Sequence, residues 1–154
     1  MYFKNEKAEI EILIVGYTDV PQRYDDKIIR KNALACQVYF YGEDLGDGVL
    51  WDDLFQTDDI IRLHCMVVEL ANGNVDSFSY KDQWDMVLID AKRNADDYDI
   101  SVSVIQRSRG NSYLSGKFTY SKQDFMKLIE ELEKYKKSYP VRKCRISLSH
   151  LFGK

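Results

Sequence analysis

Polar and apolar residues alternate from Glu9 to Tyr17, with Ile10, Ile12 and Ile14 pointing one way and Glu9 and Glu11 the other. A period of two predicts a half-buried strand. The stretch from Asp19 to Lys31 is polar, contains Pro21 and reads as a loop. Alternation returns from Ala33 to Tyr41. Leu34, Cys36, Val38 and Phe40 fall on one face, and Ala35, Gln37, Tyr39 and Tyr41 on the other. Gly42 to Gly48 holds three glycines and reads as a turn-rich connection.

The period then changes. Thr57 is placed to cap a helix, with Asp58 and Asp59 favourable in its first turn. Ile60, Leu63, Val67 and Leu70 follow at helical spacing, and Asn72-Gly73 is a natural stop, so a helix is expected over Asp58–Ala71. Asn-Gly is also a hairpin signal. The competing reading is a strand from Ile61 to Leu70 turning into Val75–Tyr80; the acidic start and the leucines favour the helix.

Three β-type runs come next. Trp84–Asp90 places Trp84, Met86 and Leu88 on one side. Tyr98–Gln106 places Tyr98, Ile100, Val102 and Val104 on one side and Ser101 and Ser103 opposite, and Ser112–Tyr120 groups Leu114, Phe118 and Tyr120. Turns at Asn94–Asp97 and Arg109-Gly110-Asn111 are short enough for antiparallel neighbours. The last element, Lys122–Lys137, is the clearest. Ser121 can cap it and Asp124 can answer. Phe125, Leu128, Ile129, Leu132 and Tyr135 form one apolar stripe, Glu130/Lys134 and Glu133/Lys137 are spaced as ion pairs, and Pro140 ends the helix. Glu131 lies off the stripe and is expected to matter little.

These elements predict one α+β domain over residues 1–154, mainly an antiparallel sheet of about five to six strands with two helices packed on one face. No internal repeat is legible. The sheet face away from the helices would be partly open, carrying Tyr39 and Tyr41.

Composition changes this picture little. The chain has 154 residues, 45% of them apolar, and needs neither disulfide nor metal to fold. Net charge is −3, which does not suit a polyanion-binder, and no aromatic stacking motif accompanies Arg107 and Arg109, so nucleic acid is not expected as a partner. The charge is uneven: basic residues outnumber acidic ones nine to four from Ser121 to Lys154, against 13 to 21 elsewhere. Three cysteines without a CxxC spacing fit a reducing cytoplasm, with Cys36 and Cys65 as small core residues. The N-terminus lacks the apolar run of a signal peptide, and no stretch reaches the ~20 apolar residues of a membrane helix.

Candidate chemistry is thin. Gly46-Asp47-Gly48 lacks the lysine and threonine of a phosphate loop, and Glu43, Asp44 and Asp47 lack the ligand ladder of a calcium loop. His64 adjoins Cys65, but neighbours on a helix point about 100° apart and form no dyad. His150 falls in the C-terminal segment. Asp52-Asp53, Asp58-Asp59 and Asp96-Asp97 could in principle pair as acid and base in a small ligand-binding or hydrolytic domain; consecutive loop acids are more often solvated. No catalytic residue, cofactor or metal is assigned. What stands out is 11 tyrosines and two tryptophans. Tyrosine is enriched at protein interfaces. The candidate contacts are Tyr39 and Tyr41 on the open face and the run Asp96-Asp97-Tyr98-Asp99, whose acids would suit a basic partner. The open face could equally join two copies of the chain.

The order of features from Phe55 onward resembles a family of small bacterial immunity proteins that neutralise wall-associated polymorphic toxins. The resembling pieces are FQTDDIIRLHCMVVELANG, the strands that follow, and LSGKFTYSKQDFMKLIEELEKYKKSYPVR with its close at Tyr139-Pro140-Val141-Arg142. They span the last two-thirds of the chain; the first 50 residues match nothing in that family. The resemblance implies a non-enzymatic cytoplasmic protein that binds and blocks a toxin domain, with no catalytic residues to carry over.

Overall fold

The computed structural model describes residues 1–18, 32–43, 46–82, 84–106 and 112–142. The expected loop at Asp19–Lys31, Asp44, the turn around Arg109, Cys144 and His150 lie outside the described residues. Among the described residues two four-stranded antiparallel sheets and two helices make up the fold, and their order repeats. Strands β1 (Tyr2–Lys4), β2 (Ala8–Tyr17), β3 (Ala33–Gly42) and β4 (Gly48–Gln56) form the first sheet and run into α1 (Thr57–Ala71). Strands β5 (Ser77–Lys81), β6 (Val87–Asn94), β7 (Asp97–Gln106) and β8 (Ser112–Ser121) form the second and run into α2 (Lys122–Ser138). In both sheets the spatial order is the chain order.

The fold is thus α+β, but the single sheet expected from the sequence is two, and a repeat of four strands and a helix exists that residue patterns do not reveal. Three strands escaped the periodicity, β1 because it is only three residues long. In β4 the register shifts against β3 at Leu34/Ala35, so that Leu34 faces Phe55 and Ala35 faces Asp53. The extra residue, Leu54, turns inward together with Phe55 and breaks the alternation. β5 is only five residues long and carries a single fully buried side chain, Tyr80.

Phase fails in one further place. The inward residues of β6 are Val87, Ile89 and Ala91, whereas Leu88 is only partly buried and Trp84 is exposed. Trp84 to Met86 is a turn organised by Asp82. This carboxylate, 2% exposed, accepts backbone N–H groups from Trp84 (3.0 Å), Met86 (2.6 Å) and Val87 (2.7 Å). Asp85 takes the left-handed conformation, φ 58°, to complete it.

The helix reading of residues 58–71 holds, and the hairpin alternative does not. Its cap is Gln56 rather than Thr57: the Gln56 side chain accepts from the Asp59 N–H while Asp59 accepts from the Gln56 N–H at 2.8 Å. Gly73, at φ 74°, closes the helix with its N–H on the Leu70 carbonyl. α2 begins as expected, the Ser121 hydroxyl accepting from the Asp124 N–H at 3.2 Å.

One hydrophobic cluster joins both sheets and both helices. α1 contributes Ile60, Leu63, Val67 and Leu70, and α2 contributes Phe125, Leu128 and Leu132, with Ile129 and Tyr135 half-buried at its margin. Phe3 ties the sheets together, its ring 5.7 Å from Phe118 and 6.0 Å from Tyr120. β8 lies against β2 at Gly116, where a Cβ would meet the Phe118 ring at 2.5 Å and Ile10 Cδ1 at 3.3 Å. Cys36 is in the core; Cys65, expected there, is exposed. Glu131 is not idle either: its carboxylate lies 2.5 Å from the buried Met1 ammonium, which also donates to the Ile12 carbonyl at 2.7 Å.

Candidate functional site

The first sheet has an apolar inner face, and its outer face is not polar in compensation. Register places Tyr2, Glu11, Tyr39 and Val49 in one row across all four strands. Beside this row lie Lys4, Glu9 and Tyr41 on one flank, and Leu13, Gln37 and Trp51 on the other. Tyr41 is 64% exposed and Trp51 66%, and Tyr2, Val15, Tyr39 and Val49 are exposed beside them. Tyr39 and Tyr41 are there because alternation in β3 turns them outward once Leu34, Cys36, Val38 and Phe40 are committed to the core, and Trp51 and Tyr2 join them through the pairing of β4 and β1 with their neighbours. Scattered apolar residues on a surface are ordinary, whereas a contiguous set on one sheet face marks an interaction site.

Carboxylates are interleaved with the rings. Glu9 lies across from Tyr41 and Glu11 between Tyr2 and Tyr39. Lys4 reaches Glu9 at 3.1 Å, and Glu11 has no hydrogen bond or contact ion pair among the described residues. At the far end Asp53 accepts from the Thr18 hydroxyl at 2.6 Å.

The outer face of the second sheet is different in kind. Ser79 donates to Asp90 (2.5 Å), Ser103 and Ser115 share a hydrogen bond (2.7 Å), and Thr119 and Asn94 both donate to Asp99 (3.1 Å each). These polar groups satisfy one another.

The six candidate contact residues therefore separate. Tyr39 and Tyr41 lie on the aromatic face. Asp96 and Asp97 are exposed at the β6–β7 turn of the other sheet, and Asp99 is bound by its own neighbours. Tyr98 is 3% exposed, beneath α2, and is corrected from a surface contact to a core residue. Its even-numbered phase in β7, shared with Ile100 and Val102, already pointed inward. Trp51, Val49 and Tyr2 were missed because β4 and β1 were not read as strands.

A second cluster surrounds the start of α1: Asp59, Asp82, Tyr80, Thr57 and Gln56, all wholly or largely buried. Burial raises the Asp59 carboxyl above its ordinary range, and the charge of Asp82 adds to this, against the Gln56 N–H and Arg62. Burial likewise raises the Tyr80 hydroxyl. Both carboxylates are spent on structure. Asp82 holds its turn, and Asp59 holds the cap and Arg62 at 2.9 Å. Arg62 in turn donates to the Lys81 carbonyl at 2.8 Å. The Tyr80 hydroxyl, Thr57 Oγ1 and Gln56 Nε2 are buried without a hydrogen-bond partner. This cluster caps a helix and opens on no described cavity.

The remaining titratable candidates are dispersed. Asp47 is exposed in a turn, Asp52 and Asp53 lie on β4, Asp58 is exposed on α1. His64 Nε2 meets Glu133 at 3.1 Å, joining α1 to α2, while Cys65 points to solvent. Among the described residues no group of three or more His, Cys, Asp or Glu side chains is arranged to hold a metal ion. No helix among them is long and apolar enough to cross a membrane. No family model, curated protein or solved structure matches the chain.

Proposed function

We propose that this chain is a non-enzymatic protein-binding module that docks its partner on the outer face of the first sheet, and that it acts in the cytoplasm as an immunity or inhibitor protein against a bacterial toxin domain with a basic surface. The observation that carries the docking face is the contiguous exposure of Tyr2, Tyr39, Tyr41, Val49 and Trp51 with Glu9 and Glu11 set among them. Tyrosine and tryptophan are the residues that dominate binding energy at protein interfaces, and interleaved acids select a basic counterpart and speed its approach. The toxin identity rests on the resemblance of the chain from Phe55 onward. The test is affinity capture from host lysate with three proteins: the parent chain, a Tyr41→Ser/Trp51→Ser variant, and a Ser101→Glu/Ser115→Glu variant on the other sheet. A partner kept by the first and third and lost by the second supports the reading. A partner kept equally by all three, or none at all, counts against it.

A second reading follows from the same exposed rings: two copies could bury them against each other about a two-fold axis. Light scattering distinguishes the two, since a monomer at high concentration removes it.

A further inference from the structure

We infer that the docking face binds arginine side chains of its partner, the principal one seated on Glu11 between Tyr2 and Tyr39. The inference rests on the docking reading above and narrows it to one kind of contact. Three observations support it. Glu11 is half-buried on a face whose neighbours on both flanks are tyrosines, because Tyr2 and Tyr39 are its direct cross-strand partners on β1 and β3. Unlike Glu9, which Lys4 reaches at 3.1 Å, it has no cation of the described chain at contact distance. The field of Glu11 does reach the Met1 ammonium, but that group is turned inward and bound to Glu131.

The chemistry of such a slot favours one side chain. A guanidinium is planar, so it can lie against a ring while its N–H fork meets a carboxylate, and it is more weakly hydrated than an ammonium. Cation–ring attraction adds to the ion pair. The protein already contains such contacts: the Arg142 guanidinium lies 3.4 Å from the centroid of the Tyr17 ring, and that of Arg62 lies 5.1 Å from the Tyr80 centroid while bonding the Asp59 carboxylate at 2.9 Å. Charge decides between occupants. The face offers carboxylates and rings, and its one described cation, Lys4, is occupied, so a second copy brings the same sign of charge to the slot while a basic partner brings the opposite.

The test uses the full chain and Nα-acetyl-arginine methylamide as probe, with the corresponding citrulline and lysine compounds as controls, followed by the NMR ring signals of Tyr2, Tyr39 and the reference Tyr113. The arginine probe should move the Tyr2 and Tyr39 signals saturably and leave Tyr113 in place. Lysine should bind more weakly and citrulline, which lacks the charge, not measurably. Glu11→Gln should weaken the arginine response about tenfold, the loss of one charge-assisted contact, and Tyr2→Ser should weaken it also. Equal response at Tyr113, equal binding of citrulline, or an unchanged response in Glu11→Gln overturns the inference. Capture from lysate separates this failure from that of the docking reading. A partner lost by Tyr41→Ser/Trp51→Ser but kept by Glu11→Gln leaves the face and removes the arginine slot. A partner kept by both variants removes both. A dimer of the parent chain that dissociates in Glu11→Gln assigns the slot to a second copy and also overturns it.

Discussion

The ring of Tyr98 lies flat on that of Phe125, with 3.8 Å between centroids and 7° between planes. This stack fastens α2 to β7 at the end of the second sheet where the helix begins. Phe125 is 1% exposed and Leu128, one turn on, 6%. Truncating buried side chains of this size costs about 2–5 kcal/mol. Phe125→Ala and Leu128→Ala should each lower the thermal midpoint by several degrees or more, while Lys134→Ala should leave it within a degree or two. A stability unchanged in Leu128→Ala would mean that the stripe is a surface and not a core.

Glu131 should behave unlike an ordinary helix-surface residue. Its removal leaves the Met1 ammonium, which has no exposed side-chain area, with only the Ile12 carbonyl as acceptor. Leaving a buried polar group short of a partner costs about 1–3 kcal/mol. Glu131→Ala should therefore cost in that range, read from urea midpoints, and Glu130→Ala on the same helix should cost far less.

Tyr80→Phe should cost nothing. The ring packs 6.4 Å from Phe55 and under the Arg62 guanidinium at 5.1 Å, contacts that phenylalanine preserves. The hydroxyl is buried near the Asp59 carboxyl but makes no hydrogen bond of normal geometry with it. Deleting it should leave stability unchanged or raise it by up to about 1 kcal/mol. A loss beyond about 1 kcal/mol would show that the hydroxyl has a partner, with the neighbouring Asp59 carboxyl as the first candidate.

Two groups should shape stability against pH with opposite signs. Burial lowers the His64 pKa below its ordinary 6.5, with Lys136 adding to this and Glu133 opposing it. The unfolded chain then takes up a proton before the folded one does, so stability falls as pH drops through and below 6.5. His64→Gln keeps a donor for Glu133 and should flatten that part of the profile. Chemical denaturation across pH reads it; a wild-type curve already flat there would rule this out.

For Asp59 the shift is upward from 3.8. The folded state holds a proton that the unfolded state has already released, so this residue's contribution is full below 3.8 and is lost as pH rises through the folded value. Asp59→Asn should remove that loss. If the slope survives in the variant, the groups responsible lie elsewhere.

The two described cysteines should differ sharply in reactivity. Burial pushes the Cys36 thiol up to about 12, and it lies within the core, whereas Cys65 is exposed on α1. In a Cys144→Ser background, iodoacetamide should modify one thiol in the native state and two in urea. Two equivalents in the native state would place Cys36 at the surface.

Where the sequence was legible, one residue pattern matched one structural environment. β3, β7, β8 and α2 keep their period, and β2 keeps it as far as Ile14, before its register shifts against β3; the buried faces of these stretches are the ones the alternation assigns. It failed where a side chain overrides the pattern. Asp82 spends its carboxylate on three backbone donors and displaces the start of β6, and the extra Leu54 shifts the phase of β4. The candidate face was half visible for that reason. Tyr39 and Tyr41 sit on a regular strand, whereas Trp51 sits on an irregular one and Tyr2 on a strand of three residues. The division into two sheets was invisible because no single residue encodes it. It follows from α1 intervening between β4 and β5.

Because every described strand pairs only with its neighbours in the chain, the four strands of the first sheet are complete as soon as Gln56 has left the ribosome. Its inner face, with Ile10, Ile12, Leu34 and Val38, then waits uncovered for helices and a second sheet that are not yet synthesised. Of the described elements, α2 is the last cover to arrive. A nascent chain stalled before Lys122 would present two complete sheets with one apolar layer still open, a substrate for chaperones and for aggregation alike.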